Sequence, residues 1–307
     1  MSTMQNFMNT EDPLSLDRIR TVLVRLEDTI LFSLIERSQF AHNPKCYTKD
    51  GIPALKEHGF NGSWLEWFLK ETETFQAKAR RFTSPDETPF NSDLPPPIIP
   101  SLQYPKILHP NTVNVNPSIM SYYVHHCVPR ITQNATLAVA AANRARGIKG
   151  EAEYDDDGNY GSAATADLEI LQAMSRRVHY GKFVAESKFR AHPKEFIPHI
   201  RKPNRDALEA LIVKPEVERA LLARIRKKAI LYFQELDMQG EPVGGATGNP
   251  KSEIHSSRPK FRVDVDAVVQ LYEMFLIPLT KEVEVDYLLQ RLEGLSEQEI
   301  QALEGNS

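Results

Sequence analysis

The sequence predicts an all-α protein, a single multi-helix domain in which long helices pack side by side. Three observations carry this. Apolar residues recur at the helical period over long stretches, no segment alternates with the period of two that a half-buried strand needs, and Ser175 to Phe189 runs without a proline. At 307 residues, 41% of them apolar and 25% charged, the chain is long enough for one large core without a disulfide.

The first helix is expected over residues 14 to 41, where Leu16, Ile19, Leu23, Leu26, Ile30, Leu34 and Ile35 form one stripe behind Pro13 and Ser15. A second runs from about Ser63 to Arg81. Nine prolines between 83 and 117 then forbid regular helix or a central strand, which makes that segment an extended connection. Helical spacing returns from Pro117 to about Arg146, interrupted at Pro129, and residues 147 to 159 form an acidic, glycine-containing loop. One continuous helix is expected over 162 to 190. Short helices at 193 to 201 and 204 to 213 lead to Pro215, a favourable first helical residue, and a helix to about Leu236. After a polar loop over 237 to 262, Asp264 or Asp266 caps the next helix, Pro278 divides it from a last long one near 279 to 293, and Ser296 starts a terminal turn.

Composition narrows the function. A net charge of −4 offers no broad basic field for nucleic acid or anionic lipid, so any anion site must be local. Cys46 and Cys127 are the only cysteines and form no Cys-x-x-Cys pattern, which argues for a reducing compartment and against a structural zinc. The polar start MSTMQNFMNTEDP carries no secretory pattern and no run of 18 apolar residues follows, so the expectation is a cytoplasmic protein without membrane contact. Gly244 to Ser252 resembles a phosphate-binding loop, but Pro250 occupies the glycine position before Lys251 and no buried strand precedes it. His125 and His126 are adjacent and point to different sides of a helix, a poor metal pair. The expectation is no metal and no cofactor.

Polar residues set into apolar helices are the remaining signal. Arg177 and Lys188 are eleven residues apart, so on a continuous helix they share one stripe roughly 16 Å apart along the axis. Leu171, Met174, Val178 and Phe189 around them imply burial, where each cation needs an anionic partner. That partner is either an internal carboxylate, Glu186 or Glu169, or a bound polyanion. Arg20 borders the apolar face of the first helix, where it could also be a snorkelling arginine. Thr280 and Glu284 share a face of the last long helix, and as an isolated pair would be surface residues. Glu218, one turn before Leu221 and Leu222, could instead pair with Arg219 or Arg224.

The same residues fall within longer motifs. These are the Ile19-Arg20 helix with Glu27-Asp28 and Ile35-Glu-Arg-Ser38, then Arg80-Arg-Phe-Thr-Ser-Pro-Asp-Glu-Thr-Pro-Phe90 and Gly161-Ser-Ala-Ala-Thr165. Further on come Ser175-Arg-Arg-Val-His-Tyr-Gly-Lys-Phe-Val-Ala-Glu-Ser-Lys188 and Ile277-Pro-Leu-Thr-Lys-Glu-Val-Glu284-Val-Asp-Tyr-Leu-Leu289. In these motifs, in this order, nearly the whole chain resembles the fungal and plant-type chorismate mutases, an all-α class with built-in amino-acid regulation.

The resemblance implies an isomerase that converts chorismate to prephenate in phenylalanine and tyrosine synthesis, with an active site on Arg20, Arg177, Lys188, Glu218, Thr280 and Glu284. Lys214 falls on a further family contact where the side-chain type is not fixed, so it is left outside the set. The rearrangement is intramolecular and needs no nucleophile, metal or redox group. Arginines grip carboxylates in planar, two-point fashion, the role implied for Arg20 and Arg177. Lys188 and a protonated Glu284 would donate to the ether oxygen as negative charge grows on it, while Glu218 accepts from the ring hydroxyl and Thr280 orients a carboxylate.

A second site is implied for amino-acid effectors, tryptophan as activator and tyrosine as inhibitor, formed by Arg80, Arg81, Asn159, Gly161, Ser162 and Thr165 across the interface of a homodimer. Read alone, Arg80 and Arg81 are two cations at a helix C-terminus, and Asn159 to Ser162 is a helix start whose free amides suit a carboxylate. Ala166 stands where relatives carry a basic residue. The implied organisation is one domain with interwoven parts, regulatory over about 60–165 and catalytic over about 14–40 and 166–294. A catalytically silent helical regulator or partner subunit that keeps the fold and the amino-acid site is the alternative, and intact Lys188 and Glu284 count against it.

Overall fold

The computed structural model describes residues 12–154, 156–243 and 260–305. The polar start through residue 11 and the glycine-containing stretch from Gly244 to Ser252 lie outside the described residues. The first half of the chain holds α1 (Leu16–Ser38), α2 (Trp64–Lys78), α3 (Asn116–Tyr122), α4 (Gln133–Ala145) and α5 (Tyr160–His179). The second half holds α6 (Gly181–Ala191), α7 (Pro193–Arg201), α8 (Arg205–Ile212), α9 (Pro215–Phe233), α10 (Val265–Leu271), α11 (Ile277–Gln290) and α12 (Glu297–Gly305). Among the described residues there is no β-strand, only isolated bridges between Gln234 and Phe261 and between Leu236 and Pro242. The all-α expectation holds. Among the described residues, no helix is long and apolar enough to cross a membrane.

Several boundaries follow from local chemistry. Ser63 and Glu66 form a reciprocal capping box, Ser63 N donating to Glu66 Oε2 at 2.7 Å and Glu66 N to Ser63 Oγ at 3.2 Å, which starts α2 where the sequence places it. The helix ends at Lys78 rather than Arg81, because Arg80 takes a left-handed conformation with φ 62°. Asp264 caps α10, accepting from Asp266 N at 2.9 Å. Ser296 and Glu299 form a second capping box at α12.

The structure corrects two expectations about continuity. Pro278 does not divide two helices: a π-helical turn over Tyr272–Leu276 leads α10 directly into α11, and a matching turn over Tyr123–Cys127 precedes Pro129. A proline lacks the N–H and its ring crowds the carbonyl four residues back, so a widened turn just ahead of it carries the helix through without a break. Conversely, the run from 162 to 190 is two helices. Tyr180 separates α5 from α6, and Gly181 begins the second one against α11.

Packing places the site. α1 lies along α5, and α11 packs on α6, α5 and α8. A large apolar core includes Leu34, Ile170, Met174, Phe189, Leu276 and Leu288, while a smaller cluster gathers Ile19, Val22, Leu26, Tyr180 and Phe183. The proline-rich connection has no helical bonds of its own, so α2 supplies them: buried Glu73 accepts from the amides of Phe90 and Asn91, both at 2.9 Å.

Candidate active site

A cleft of about 180 Å³ opens at the seam between the two apolar clusters, with Ile19 and Leu23 on one side and Ile212 and Leu221 on the other. Into it project residues from five helices: Arg20 from α1, Arg177 from α5, Lys188 from α6, Glu218 from α9, and Thr280 and Glu284 from α11. All six expected active-site residues therefore share one cleft.

Arg177, in the last turn of α5, is 4% exposed. Its Nη1 donates to Thr280 Oγ1 at 3.4 Å, and its Nε is buried with no hydrogen-bond partner. Of the carboxylates that could have neutralised it, Glu284 acts on it across the cleft without forming an ion pair, and the others are committed elsewhere or face solvent. Glu186 accepts from Arg190 Nε at 2.6 Å and from Tyr287 OH and Arg291 Nε at 2.7 Å each. Glu169 is exposed. Glu27, whose charge also acts on Arg177, is bound by Arg224 at 2.6 Å and Lys228 at 3.2 Å. Burial holds the Arg177 guanidinium below its ordinary pKa, a sign that its charge is under-compensated. Of the two kinds of partner the sequence allows, the internal ion pair with Glu186 or Glu169 does not form for Arg177 among the described residues.

Thr280 and Glu284, expected as surface residues if read alone, are each 8% exposed. Thr280 Oγ1 donates back to Leu276 O at 2.5 Å, which presents the oxygen's lone pairs to Arg177. Burial pushes the Glu284 carboxyl up to about 7, against the opposing pull of Lys188, Arg177 and Lys281. Around neutrality a large share of it is a neutral acid that can donate a hydrogen bond. Lys188 is half-buried, and its Nζ donates to the carbonyl of Ile212 at the end of α8. Burial lowers its pKa, with Glu284 opposing.

Two residues sit differently from expectation. Arg20 lines the cleft from its rim, its side chain 59% exposed and its Nη1 3.2 Å from Asp17 Oδ1 one turn back. Glu218 is paired with neither Arg219 nor Arg224. Its Oε1 takes Lys281 Nζ at 2.7 Å.

Lys214, Lys281 and Gly181 also line the cleft. Gly181 had a readable signal, a glycine inside a helical run. A Cβ there would meet Glu284 Cγ at 3.0 Å and Thr280 Cγ2 and O at 3.1 Å, so its absence lets α6 approach the face of α11 that carries both. Lys281 gave none, since a lysine beside a threonine on a helix has no spacing to set it apart.

None of the implied effector residues lines the cleft that holds Arg177. Arg80 donates to Pro100 O at 3.0 Å, and Arg81 reaches Gln172 Oε1 at 2.6 Å and Glu87 Oε2 at 3.2 Å. Asn159 precedes α5, and Gly161, Ser162 and Thr165 are exposed on its first turns, Thr165 Oγ1 donating to Gly161 O at 2.9 Å. Gln172 is ten residues beyond Ser162, roughly 15 Å along the helix, so the two groups do not meet within one chain. The polar cleft of about 240 Å³ that Arg81 lines with Arg25, Glu169, Gln172 and Arg176 contains none of residues 159–165.

Comparison with known proteins gives consistent results. A family model described as chorismate mutase type II matches residues 159–285. The chorismate mutase of Emericella nidulans is 41% identical over 295 residues, spanning 96% of this chain and 98% of that one. A crystal structure of chorismate mutase from Candida albicans in complex with L-Trp superposes with a TM-score of 0.78 at 37% identity, covering 97% of this chain and 99% of the other. A structure of AtCM1 with tyrosine bound in its allosteric site gives 0.70 at 37% identity, covering 93% and 99%.

Proposed function

The chain belongs to the type II chorismate mutases, and from that membership we propose that the cleft of Arg20, Arg177, Lys188, Glu218, Thr280 and Glu284 is where chorismate is rearranged to prephenate. The observation that carries the assignment is Arg177, a buried guanidinium with no carboxylate partner among the described residues. A substrate carboxylate supplies what the fold withholds.

Each role then follows from position. Arg177 and Arg20, deep in the cleft and at its rim, hold the two carboxylates and fold the enolpyruvyl side chain over the ring, so conformational freedom is lost on binding rather than at the barrier. Thr280 Oγ1 orients Arg177 and the carboxylate it holds. As the ether C–O bond breaks and the new C–C bond forms within the same molecule, the ether oxygen gains negative charge. Lys188 and the protonated Glu284 donate to that oxygen, and their bonds strengthen as the charge grows. Glu218 accepts from the ring hydroxyl.

Regulation is assigned to Arg80, Arg81, Asn159, Gly161, Ser162 and Thr165, with tryptophan activating and tyrosine inhibiting. Because the two groups do not meet in one chain, the site is completed by a second copy, which makes the working form a homodimer. Structural relatives with L-Trp bound, or with tyrosine bound in an allosteric site, support the choice of aromatic amino acids as effectors. The regulatory part spans about 60–165 and the catalytic part about 14–40 and 166–294 of one domain. Both cysteines are free and buried, in keeping with a cytoplasmic, reducing setting. The test is direct: purified protein mixed with chorismate removes the chorismate absorbance with formation of prephenate, and persistence of that absorbance contradicts the assignment. Light scattering should give twice the mass of one chain.

A further inference from the structure

The cleft contains more charge than the six assigned residues account for. Five cations, Arg20, Arg177, Lys188, Lys214 and Lys281, face two carboxylates, Glu218 and Glu284. Arg20 is paired with Asp17 at the rim and Lys188 donates to the Ile212 carbonyl, while Arg177 has no carboxylate partner among the described residues. Lys281 is engaged within the cleft: its Nζ holds Glu218 Oε1 at 2.7 Å, bridging α11 to the first turn of α9. The two side chains are 25% and 31% exposed, so the pair is neither a fully solvated surface contact nor a buried structural one. Lys281 also borders a separate outer cleft lined by Arg205, Glu209, Glu282 and Val285, and so forms part of the wall between that cleft and the substrate cleft.

Glu218 faces a conflict that its position creates. The cations gathered to bind substrate also attract this glutamate, and a Glu218 side chain turned toward Lys188, Lys214 or Arg20 would occupy the place of a substrate carboxylate. A cation on the outer wall resolves the conflict by drawing one carboxylate oxygen away from the cleft and leaving the other, Oε2, for the ring hydroxyl.

We propose that Lys281 is a positioning residue for this reaction, clamping Glu218 against the outer wall of the cleft so that Oε2 receives the substrate's ring hydroxyl. The inference rests on the ring-hydroxyl role assigned to Glu218. Since the hydroxyl takes no part in bond making or breaking, its contact is equally strong in ground and transition states, and its loss appears in KM rather than in kcat.

The test is a double-mutant cycle read by steady-state kinetics with chorismate. Lys281→Met, which keeps the length and removes the charge, should raise KM about fivefold, the upper end of what a part-exposed ion pair contributes, with kcat nearly constant. Lys281→Arg should restore most of the loss. In a Glu218→Gln background the same Lys281→Met change should leave KM nearly unmoved. Lys281→Gln carries the same comparison if the methionine variant melts early. An unchanged KM in Lys281→Met, or an equal rise in both backgrounds, overturns the proposal. If Glu218→Gln alone leaves KM at the wild-type value, the role of Glu218 itself has failed, a result distinguishable from the other two.

Discussion

The Arg177 guanidinium lies 3.4 Å from the Thr280 hydroxyl, and no carboxylate pairs with it among the described residues. A neutral hydroxyl cannot offset a buried positive charge, so the free protein holds this group at a cost that the proposed binding of a dianion would relieve.

Replacing Arg177 or Lys188 by alanine should therefore reduce kcat/KM by about a hundredfold or more while the protein stays folded. For Arg177→Ala the fold should even gain stability, since an under-compensated charge leaves the interior. Circular dichroism and steady-state kinetics check both. Folded variants with near wild-type turnover would remove these residues from the active site.

Gly181→Ala tests the helix contact rather than the charges. The new methyl would stand 3.0 to 3.1 Å from Glu284 Cγ and from Thr280, and the Thr280 backbone oxygen cannot rotate away. We expect kcat/KM to fall on the order of tenfold, with a stability loss of about 1–3 kcal/mol by denaturant titration. Unaltered kinetics would mean that the approach of α6 to α11 does not set the site.

Arg81→Ala should abolish the response of turnover to tryptophan and tyrosine, because the guanidinium shared between Gln172 and Glu87 is the cation proposed to engage the effector. Effector titrations that superimpose on those of the wild type would remove Arg81 from the regulatory site.

The helical scaffold is legible in the sequence because its apolar period is long and its stop signals are strong, from the stripe of α1 to the proline-rich connection. Two joints differ from the expected ones for physical reasons. Pro278 signals a break in a helix, yet the π-helical turn at Tyr272–Leu276 absorbs it, and turn width leaves no mark on apolar spacing. The division at Tyr180 has no proline or loop signal; the glycine beside it, Gly181, is visible in the sequence, but the contact it permits with α11 is not. The six cleft residues emerge as a set through the resemblance, since individually Arg20, Glu218, Thr280 and Glu284 have ordinary explanations. Lys281 is invisible to spacing because its role depends on a partner 63 positions away on another helix.

Stability should also record Glu284. Its folded pKa, about 7, lies above the ordinary value of 4.5, so between these pH values the native state binds more protons than the unfolded chain. Its contribution is therefore fully present below about pH 4.5 and is lost as pH rises through 7, amounting to on the order of 3 kcal/mol. Glu284→Gln should consequently melt higher than wild type at pH 8 and close to it at pH 4.5. A variant no more stable at pH 8 would mean that the carboxylate is better solvated than its burial implies.

The most direct test of the account is the pH dependence of kcat/KM for wild type and Glu284→Gln, measured from about pH 5 to 8. Only the protonated acid can donate to the ether oxygen, and kcat/KM reports ionisation in the free enzyme, where burial places this group at about 7. The wild type should be most active on the acidic side and decline through that value. Glutamine donates at every pH, so the variant's profile should be flat across the same range. An identical alkaline decline in both proteins would show that another group controls the rate and that Glu284 is not the neutral donor.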